Sequence, residues 1–194
     1  MRKPDQITVD RALLLYLLHL AESFGCAQDR PHGLMSDVKL QQLAFLCELQ
    51  MFTKGVRGFH FEFFRFAYGA FSKDLDNDLM SLRRKERVEN FSVSAEAQDA
   101  IALLQESAKG VEADEQALGI LGAVAANYAP QDTGAITNSV EAVELSTPEQ
   151  PEFKLAIRDI SFHTTLLVPH RIEVKSEFTL PPAVLAKLNT AMGY

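Results

Sequence analysis

The segment FEFFRFAYGAFSKDL, Phe61–Leu75, constrains the fold more than any other part of the chain. Its first half alternates as a β-strand does, with aromatic residues on both faces. One face carries Phe59, Phe61 and Phe63, and the other carries Phe64, Phe66 and Tyr68. Because the aromatic set changes face between Phe63 and Phe64, the strand is either bulged at that point or covered on both sides.

The second half of this segment predicts a tight turn followed by a helix. Gly69 permits a backbone angle, or a close approach, that a Cβ atom would obstruct. Ser72 can accept hydrogen bonds from the first N–H groups of a helix that runs to about Arg84. Tyr68 and Phe71 bracket the turn, and we expect them to pin it to the core, with most of the other aromatic side chains buried as well.

The N-terminal apolar run ALLLYLLHLA imitates a secretion signal in this chain of 194 residues. Asp5 and Asp10 interrupt the positive region that such a signal needs, and Glu22 and Phe24 do not suit a cleavage site. The run is also shorter than the roughly 20 residues of a membrane span. We therefore predict a helix that is buried nearly all round and ends at Gly25, in a protein without membrane contacts.

Further local patterns predict a mainly helical chain. Ser36 can cap a helix that ends near Gly55, and the sequence KERVENFSV after Arg84 suits a short strand or wing. Asp132 or Thr133 can cap the last of three later helices. These helices are predicted at residues 94–105, 113–128 and 132–143.

The composition of the chain changes at residues 146–152, STPEQPE, which contain two prolines and predict a linker. The region from Ile160 to Leu180 then alternates, apart from Pro169, and predicts half-buried β-structure. The predicted buried face begins with Ile160, Phe162, Thr164, Leu166 and Val168. A short helix is expected from Pro181-Pro182 to Gly193.

These patterns together predict an α+β, mainly helical fold. Residues 1–145 form a compact helical domain with a short strand or wing element, and residues 146–152 form a linker. Residues 153–194 form a β-rich C-terminal extension that ends in a short helix. We expect this extension to pack on the main domain and to enlarge the surface that meets a partner.

Charge and cysteine usage restrict the function and the compartment. The net charge of −7 argues against broad electrostatic adhesion to nucleic acid or to an anionic membrane. Residues 92–152 contain 11 acidic residues and one basic residue, which suits either a solvated acidic face or a basic partner. Cys26 and Cys47 do not form a disulfide framework, so we predict two reduced thiols in a cytoplasmic protein.

No motif in the chain indicates a metal, a cofactor or catalysis. Asp74, Asp76 and Asp78 copy the start of a calcium loop, but Leu79 and Lys85 occupy positions that require Gly and Glu. The position of the three acids near a helix N-terminus is sufficient reason for them. The histidines lack ligand spacing, and no nucleophile–base pattern is visible. We therefore expect a protein that is not an enzyme and holds no cofactor.

The one basic cluster is RRKER, in which Arg83, Arg84, Lys85 and Arg87 could contact nucleic acid. A basic helix end before a wing suits a winged-helix DNA reader. Cations at a helix C-terminus also satisfy the helix dipole and the last carbonyl groups. The acidic remainder of the chain favours this second interpretation.

Three segments resemble the Panacea antitoxin-domain family and its YwgA-like and phage-associated relatives. They are the helix KLQQLAFLCELQ, the turn FRFAYGAFS and the helix KDLDNDLMSL, and LGILGAVAANYAPQDTGAITNSV resembles the late helix pair of that family. The matching positions are Lys39, Leu40, Gln42, Leu43, Tyr68, Gly69, Phe71, Ser72, Leu75, Asp78 and Leu79. The chain departs from the family at Ala70, where Pro is usual. The resemblance covers roughly residues 9–145.

The resemblance implies a cytoplasmic protein-binding module that neutralises a partner toxin, encoded nearby, by direct binding. The alternatives are a winged-helix transcriptional regulator that binds DNA and a proteolytic adaptor. The sequence leaves open whether the chain also forms a homo-oligomer, and the resemblance does not say which exposed residues bind a partner.

Overall fold

The computed structural model describes residues 2–25, 35–147 and 149–194. The helices are α1 Pro4–Gly25, α2 Asp37–Thr53, α3 Lys73–Arg84, α4 Gln98–Ala108, α5 Glu112–Tyr128, α6 Thr133–Glu141 and α7 Pro182–Ala191. The strands are β1 Val56–Arg57, β2 Phe63–Phe66, β3 Gly69–Phe71, β4 Val88–Glu89, β5 Ser92–Val93, β6 Glu144–Thr147, β7 Gln150–Ala156, β8 Thr165–Leu167 and β9 Ser176–Glu177. The predicted α+β, mainly helical fold is confirmed.

Helix α1 is the centre of the core, as its sequence predicts. Most of its apolar residues are buried, on all sides of the helix, because α2, α4, α5 and α7 pack around it, whereas Phe24 in its last turn is exposed. The predicted caps also hold, since Ser36, Ser72 and Asp132 each accept a hydrogen bond from the backbone N–H group three residues on. Cys47 of α2 is a free thiol inside this core, whereas the prediction for Cys26 lies outside the described residues.

The aromatic segment forms a bulged strand, one of the two outcomes that its pattern allows. Strand β2 lies between β3 and β8, both antiparallel to it, and its register with β8 shifts between Phe63 and Phe64. Before the bulge, Phe59, Phe61 and Phe63 are fully buried. Their rings form a row with centroid distances of 5.1 and 6.5 Å.

The expectation that the aromatic turn is pinned to the core by Tyr68 is wrong. Beyond the bulge, Phe66 is 44% exposed and Tyr68 is 63% exposed. The bulge turns this end of the strand to the surface, where the Phe66 ring packs against Phe71 and His163 with centroid distances of 5.3 and 5.9 Å. The residues before the bulge therefore serve the core, whereas Phe66 and Tyr68 lie on the surface.

The C-terminal region differs from its predicted form. The predicted linker lies in the β6–β7 hairpin, because strand β6 continues to Thr147 and β7 begins at Gln150. Continuous alternation after Ile160 is also wrong, since His163 has a φ of 66° and Pro169 opens a 3₁₀ turn. The parity is lost at these breaks, and Phe162 and Thr164 are exposed.

Strands β8 and β9 and helix α7 join the region after residue 153 to the rest of the protein. Strand β8 extends the β2–β3 sheet, and β9 pairs in parallel with β1. The predicted short helix forms as α7 and packs on α1 and α4. Phe178 and Leu188 belong to the same hydrophobic cluster as α1.

Candidate functional site

Most residues of the Lys-Leu-x-Gln-Leu motif face the core from helix α2. Leu40 and Leu43 are fully buried. Lys39 is buried as well, and its amine donates to the carbonyl oxygen of Ala129 at 2.6 Å. Burial lowers the pKa of Lys39, and the charge of Asp132 partly opposes this effect. The lysine thus ties α2 to the end of α5.

Two neighbouring glutamines of α2 hold the strand that follows the aromatic turn. The Gln42 amide donates to the carbonyl of Ala70 at 3.0 Å and accepts from its N–H at 3.1 Å. The Gln41 amide makes the same pair of bonds with Ser72, at 3.1 and 2.8 Å. The outward backbone groups of Ala70 in β3 and of Ser72, directly after the strand, are therefore paired with side-chain amides. Gln41 was not among the predicted motif residues.

Gly69 is required by this arrangement, as its sequence position suggests. Its φ is +91°, and a Cβ atom there would lie 2.4 Å from Oε1 of Gln42. The departure at Ala70 has a structural consequence too, because proline has no N–H and could not donate to Gln42.

The exposed aromatic side chains line a groove of about 250 Å³ between α2 and the β2–β3 turn, here called the aromatic groove. It is lined by Asp37, Val38, Gln41, Gln42, Phe66, Tyr68, Ala70, Phe71 and Asp76. A second, shallower hollow shares Val38 and Tyr68 and continues along α6 past Thr133 and Asn138. Tyr68 therefore stands between two concave surfaces.

Further apolar side chains are exposed in the turn before β8 and on the β6–β7 hairpin. Phe162 is 60% exposed and lies under the guanidinium group of Arg65, 5.1 Å from the ring centroid. Phe153 and Leu155 of β7 are exposed beside a hollow of about 200 Å³ that β8 borders. Since β8 pairs with β2, these residues extend the apolar surface around the aromatic turn.

The remaining motif residue, Asp78, belongs to a different place inside the protein. Its carboxylate accepts from Arg2 at 2.6 Å and from Arg11 at 2.9 Å and is buried. Its position near the start of α3 explains Asp78 only in part, because these contacts are with α1 and with the residues before it. Burial raises the pKa of Asp78 despite the opposing effect of the two arginines.

Asp78 is part of a charged cluster between α1, β1 and β9. The cluster comprises Arg2, Asp10, Arg11, Glu48, Arg57, His60, Asp78 and Glu177. His60 lies at its centre, with Nδ1 2.9 Å from Asp10 and Nε2 3.0 Å from Glu177. Glu177 also accepts from Arg57 at 2.9 Å, so the cluster joins α1 to the C-terminal region.

The carboxylates determine the charge state of His60. Burial lowers the pKa of His60, but hydrogen bonds and charges from Asp10 and Glu177 outweigh burial and raise it above its usual value. Burial would raise the pKa of Glu177, yet His60 and Arg57 hold it below its usual value. Glu48 differs, because burial raises its pKa well above the usual range and its oxygens have no hydrogen-bond partner among the described residues.

A polar cleft of about 210 Å³ opens beside this cluster, between Arg2, Arg57, His60 and His170. Because both ring nitrogens of His60 are hydrogen-bonded to carboxylates, neither is available to abstract a proton in this arrangement. Among the described residues, no group of three or more histidine, cysteine, aspartate or glutamate side chains could hold a metal ion. The geometry is that of a structural ion network.

The predicted nucleic-acid residues have contacts within the chain. Arg83 donates to the carbonyl of Asn90 at 2.8 Å and lies over the ring of Phe91. Arg87 donates to the carbonyl of Ala191 at 2.8 Å, and Lys85 lies over the ring of Tyr194. Arg84 is exposed. The predicted wing forms as the β4–β5 hairpin. Three of the four basic residues, Arg83, Lys85 and Arg87, make the contacts just described with the hairpin or with the C-terminal residues.

Two broader comparisons complete the description. In the parts of the chain that the structure covers, no helix combines the length and apolar character needed to cross a membrane. Comparison of the chain with protein-family models, with curated proteins and with solved structures finds no match in any of the three.

Proposed function

We propose that this protein is a non-enzymatic protein-binding module that neutralises a partner protein by direct binding, as the antitoxin of a toxin–antitoxin pair does. The proposal draws its function class from the resemblance of residues 9–145 to the Panacea domain. The observation that carries it is the exposure of Phe66 and Tyr68 at the turn motif on which that resemblance depends.

Exposed aromatic side chains in a concave surface suit a protein interface. Protein interfaces are enriched in tyrosine and phenylalanine, and contiguous apolar patches on a monomer commonly mark binding sites. Here the aromatic groove, Phe162 and the β6–β7 hairpin provide such a surface. Four residues of the charged cluster, Asp10, Glu48, His60 and Asp78, are buried in the fold while these apolar groups are left in water.

The charge distribution supports a basic partner. The chain has a net charge of −7, and the helices α4 to α6 lie in its most acidic third. Opposite charge on a partner would accelerate association and disfavour like-charged competitors.

The test is co-expression with the neighbouring gene. We expect induction of that gene alone to arrest growth, co-expression of this chain to restore growth, and the two proteins to purify as a complex. The partner's level in the rescued cells should stay unchanged on immunoblots.

Two results would contradict the proposal. A neighbouring product without toxicity, or a toxic one that is neither rescued nor bound, would remove the antitoxin function. Rescue accompanied by loss of the partner protein would instead indicate a proteolytic adaptor.

A further inference from the structure

We infer that the aromatic groove receives a segment of the partner in which one large apolar side chain is flanked by lysine or arginine. The inference rests on the proposed function and adds to it the site and the chemistry of recognition.

The shape and lining of the groove suit one large apolar side chain of the partner, here called the anchor. Val38 and Ala70 provide aliphatic surface, and the Phe66 and Phe71 rings lie 5.3 Å apart on the strand side. The polar groups of Gln41 and Gln42 are engaged by the backbone of β3 and so do not compete for a ligand. A volume of about 250 Å³ accommodates one or two side chains and excludes a folded domain.

Carboxylates at the rim of the groove favour a basic residue of the partner beside that apolar side chain. Asp37 has a side chain that is 66% exposed, and Asp76 lines the same groove one helix away. Asp132 caps α6 beside the second hollow. Arg83 contacts Asp37 only through one long, exposed ion pair of 3.4 Å, which solvent screens. A partner cation can therefore meet carboxylates on either side of Tyr68.

A second copy of this chain is a poorer occupant than a basic partner. Two copies each carry a charge of −7 and repel one another. The basic cluster that a second copy could offer is engaged within its own chain, since Arg83 and Arg87 donate to the carbonyls of Asn90 and Ala191.

The experiment uses a displayed library of random twelve-residue peptides, selected on the full chain and counter-selected on the empty support, and the enriched peptides are then titrated against a Phe66→Ser, Tyr68→Ser variant. We expect the enriched peptides to share an apolar residue with lysine or arginine on both sides. Their dissociation constants should rise about tenfold or more in the double variant and severalfold in Asp37→Asn, Asp76→Asn. Val111→Ser is the matched control, because Val111 is similarly exposed but lines neither hollow.

Three results would overturn the inference. Enriched peptides with acidic flanks or no charge preference would refute the chemistry, and binding unchanged in the double variant would refute the site. Dimerisation of the wild-type chain in sedimentation, abolished by the same substitutions, would assign the groove to a second copy. Failure of this inference can be distinguished from failure of the proposed function. If the Phe66→Ser, Tyr68→Ser variant still rescues growth, the proposed function is retained and only this site is removed.

Discussion

The charged cluster lies inside the protein and the aromatic groove lies on its surface, although most proteins distribute these residue types the other way round. The cluster surrounds His60 with ion pairs and joins α1 to β9. The groove leaves Phe66 and Tyr68 in water at the end of a strand whose first half is core. The same bulged segment runs from one region towards the other.

The difference separates residues that maintain the fold from residues that are free to bind. A buried ion network is strongly destabilised when one member is removed, because the remaining charge is left without compensation. An exposed aromatic side chain contributes little to folding, so its presence calls for another reason. The comparison predicts opposite consequences for stability and for binding in the two regions.

The largest effect is expected for Asp10→Asn. Asp10 accepts from Arg2 at 2.8 Å and from both the backbone and the ring of His60, so its loss leaves two buried cations underpaired. We expect the free energy of unfolding to fall by about 3–5 kcal/mol. Urea denaturation followed by circular dichroism measures this loss.

Glu48→Gln is the matched control for that experiment. Glu48 is a buried acid of the same cluster, but burial raises its pKa well above the usual range and favours the neutral form. Its replacement by an uncharged side chain of similar size should cost much less than Asp10→Asn. Equal losses in the two variants would show that the cluster does not depend on the ionised carboxylate of Asp10.

Gly69→Val should give the next largest effect, at the turn beside the aromatic groove. The φ of +91° and the 2.4 Å approach to Gln42 leave no room for a β-branched side chain. We expect a loss of roughly 1–3 kcal/mol, seen as a lower midpoint in thermal denaturation. Gly119→Val, at an open position on α5, should not lower the midpoint. A midpoint unchanged at Gly69 would contradict the strained turn.

The charged cluster should also make stability depend on pH. Asp10 and Glu177 raise the pKa of His60 above its unfolded value of about 6.5. The stabilisation is therefore fully present below about pH 6.5 and is lost as the pH rises through the folded pKa. Denaturation at several pH values between 5.5 and 9 should show this decline.

His60→Gln tests whether His60 causes that decline. The substitution removes the titrating imidazole and leaves Arg2, Arg57, Glu48 and the two carboxylates beside His60 in place. The substitution should lower stability more at pH 5.5 than at pH 9. An equal loss at both values would assign the pH dependence to other groups.

The smallest effect on stability is expected for Tyr68→Ser. Its side chain is mostly in water, so the free energy of unfolding should change by about 0.5 kcal/mol or less. Binding of the partner should nevertheless weaken, as measured by titration calorimetry. A large loss of stability without a loss of binding would reverse the assignment of the two regions.

Local patterns predict much of this fold because they depend on neighbouring residues. The caps at Ser36, Ser72 and Asp132 and the buried helix α1 follow from such patterns, and the bulge after Phe63 is one of the two outcomes that its pattern allows. The exposure of Tyr68 does not, since the bulge leaves open which half of the strand meets the core.

The charged cluster was missed for a different reason. His60 is 50 residues from Asp10 and 117 residues from Glu177, and no local spacing relates these three positions. Asp78 was identified through a motif, but its ion pairs with Arg2 and Arg11 depend on how α3 packs against α1. Long-range ion pairs of this kind become visible only when the elements are placed together.

The amides of Gln41 and Gln42 have one more consequence, which concerns association between strands. The outer edge of a sheet normally offers N–H and C=O groups to which a foreign strand can add, and this makes it a route to aggregation. At β3 the groups of Ala70 and Ser72 are already occupied by helix α2. This edge of the sheet is thus protected against extension by a foreign strand, and the partner proposed above would have to recognise the exposed turn by its side chains.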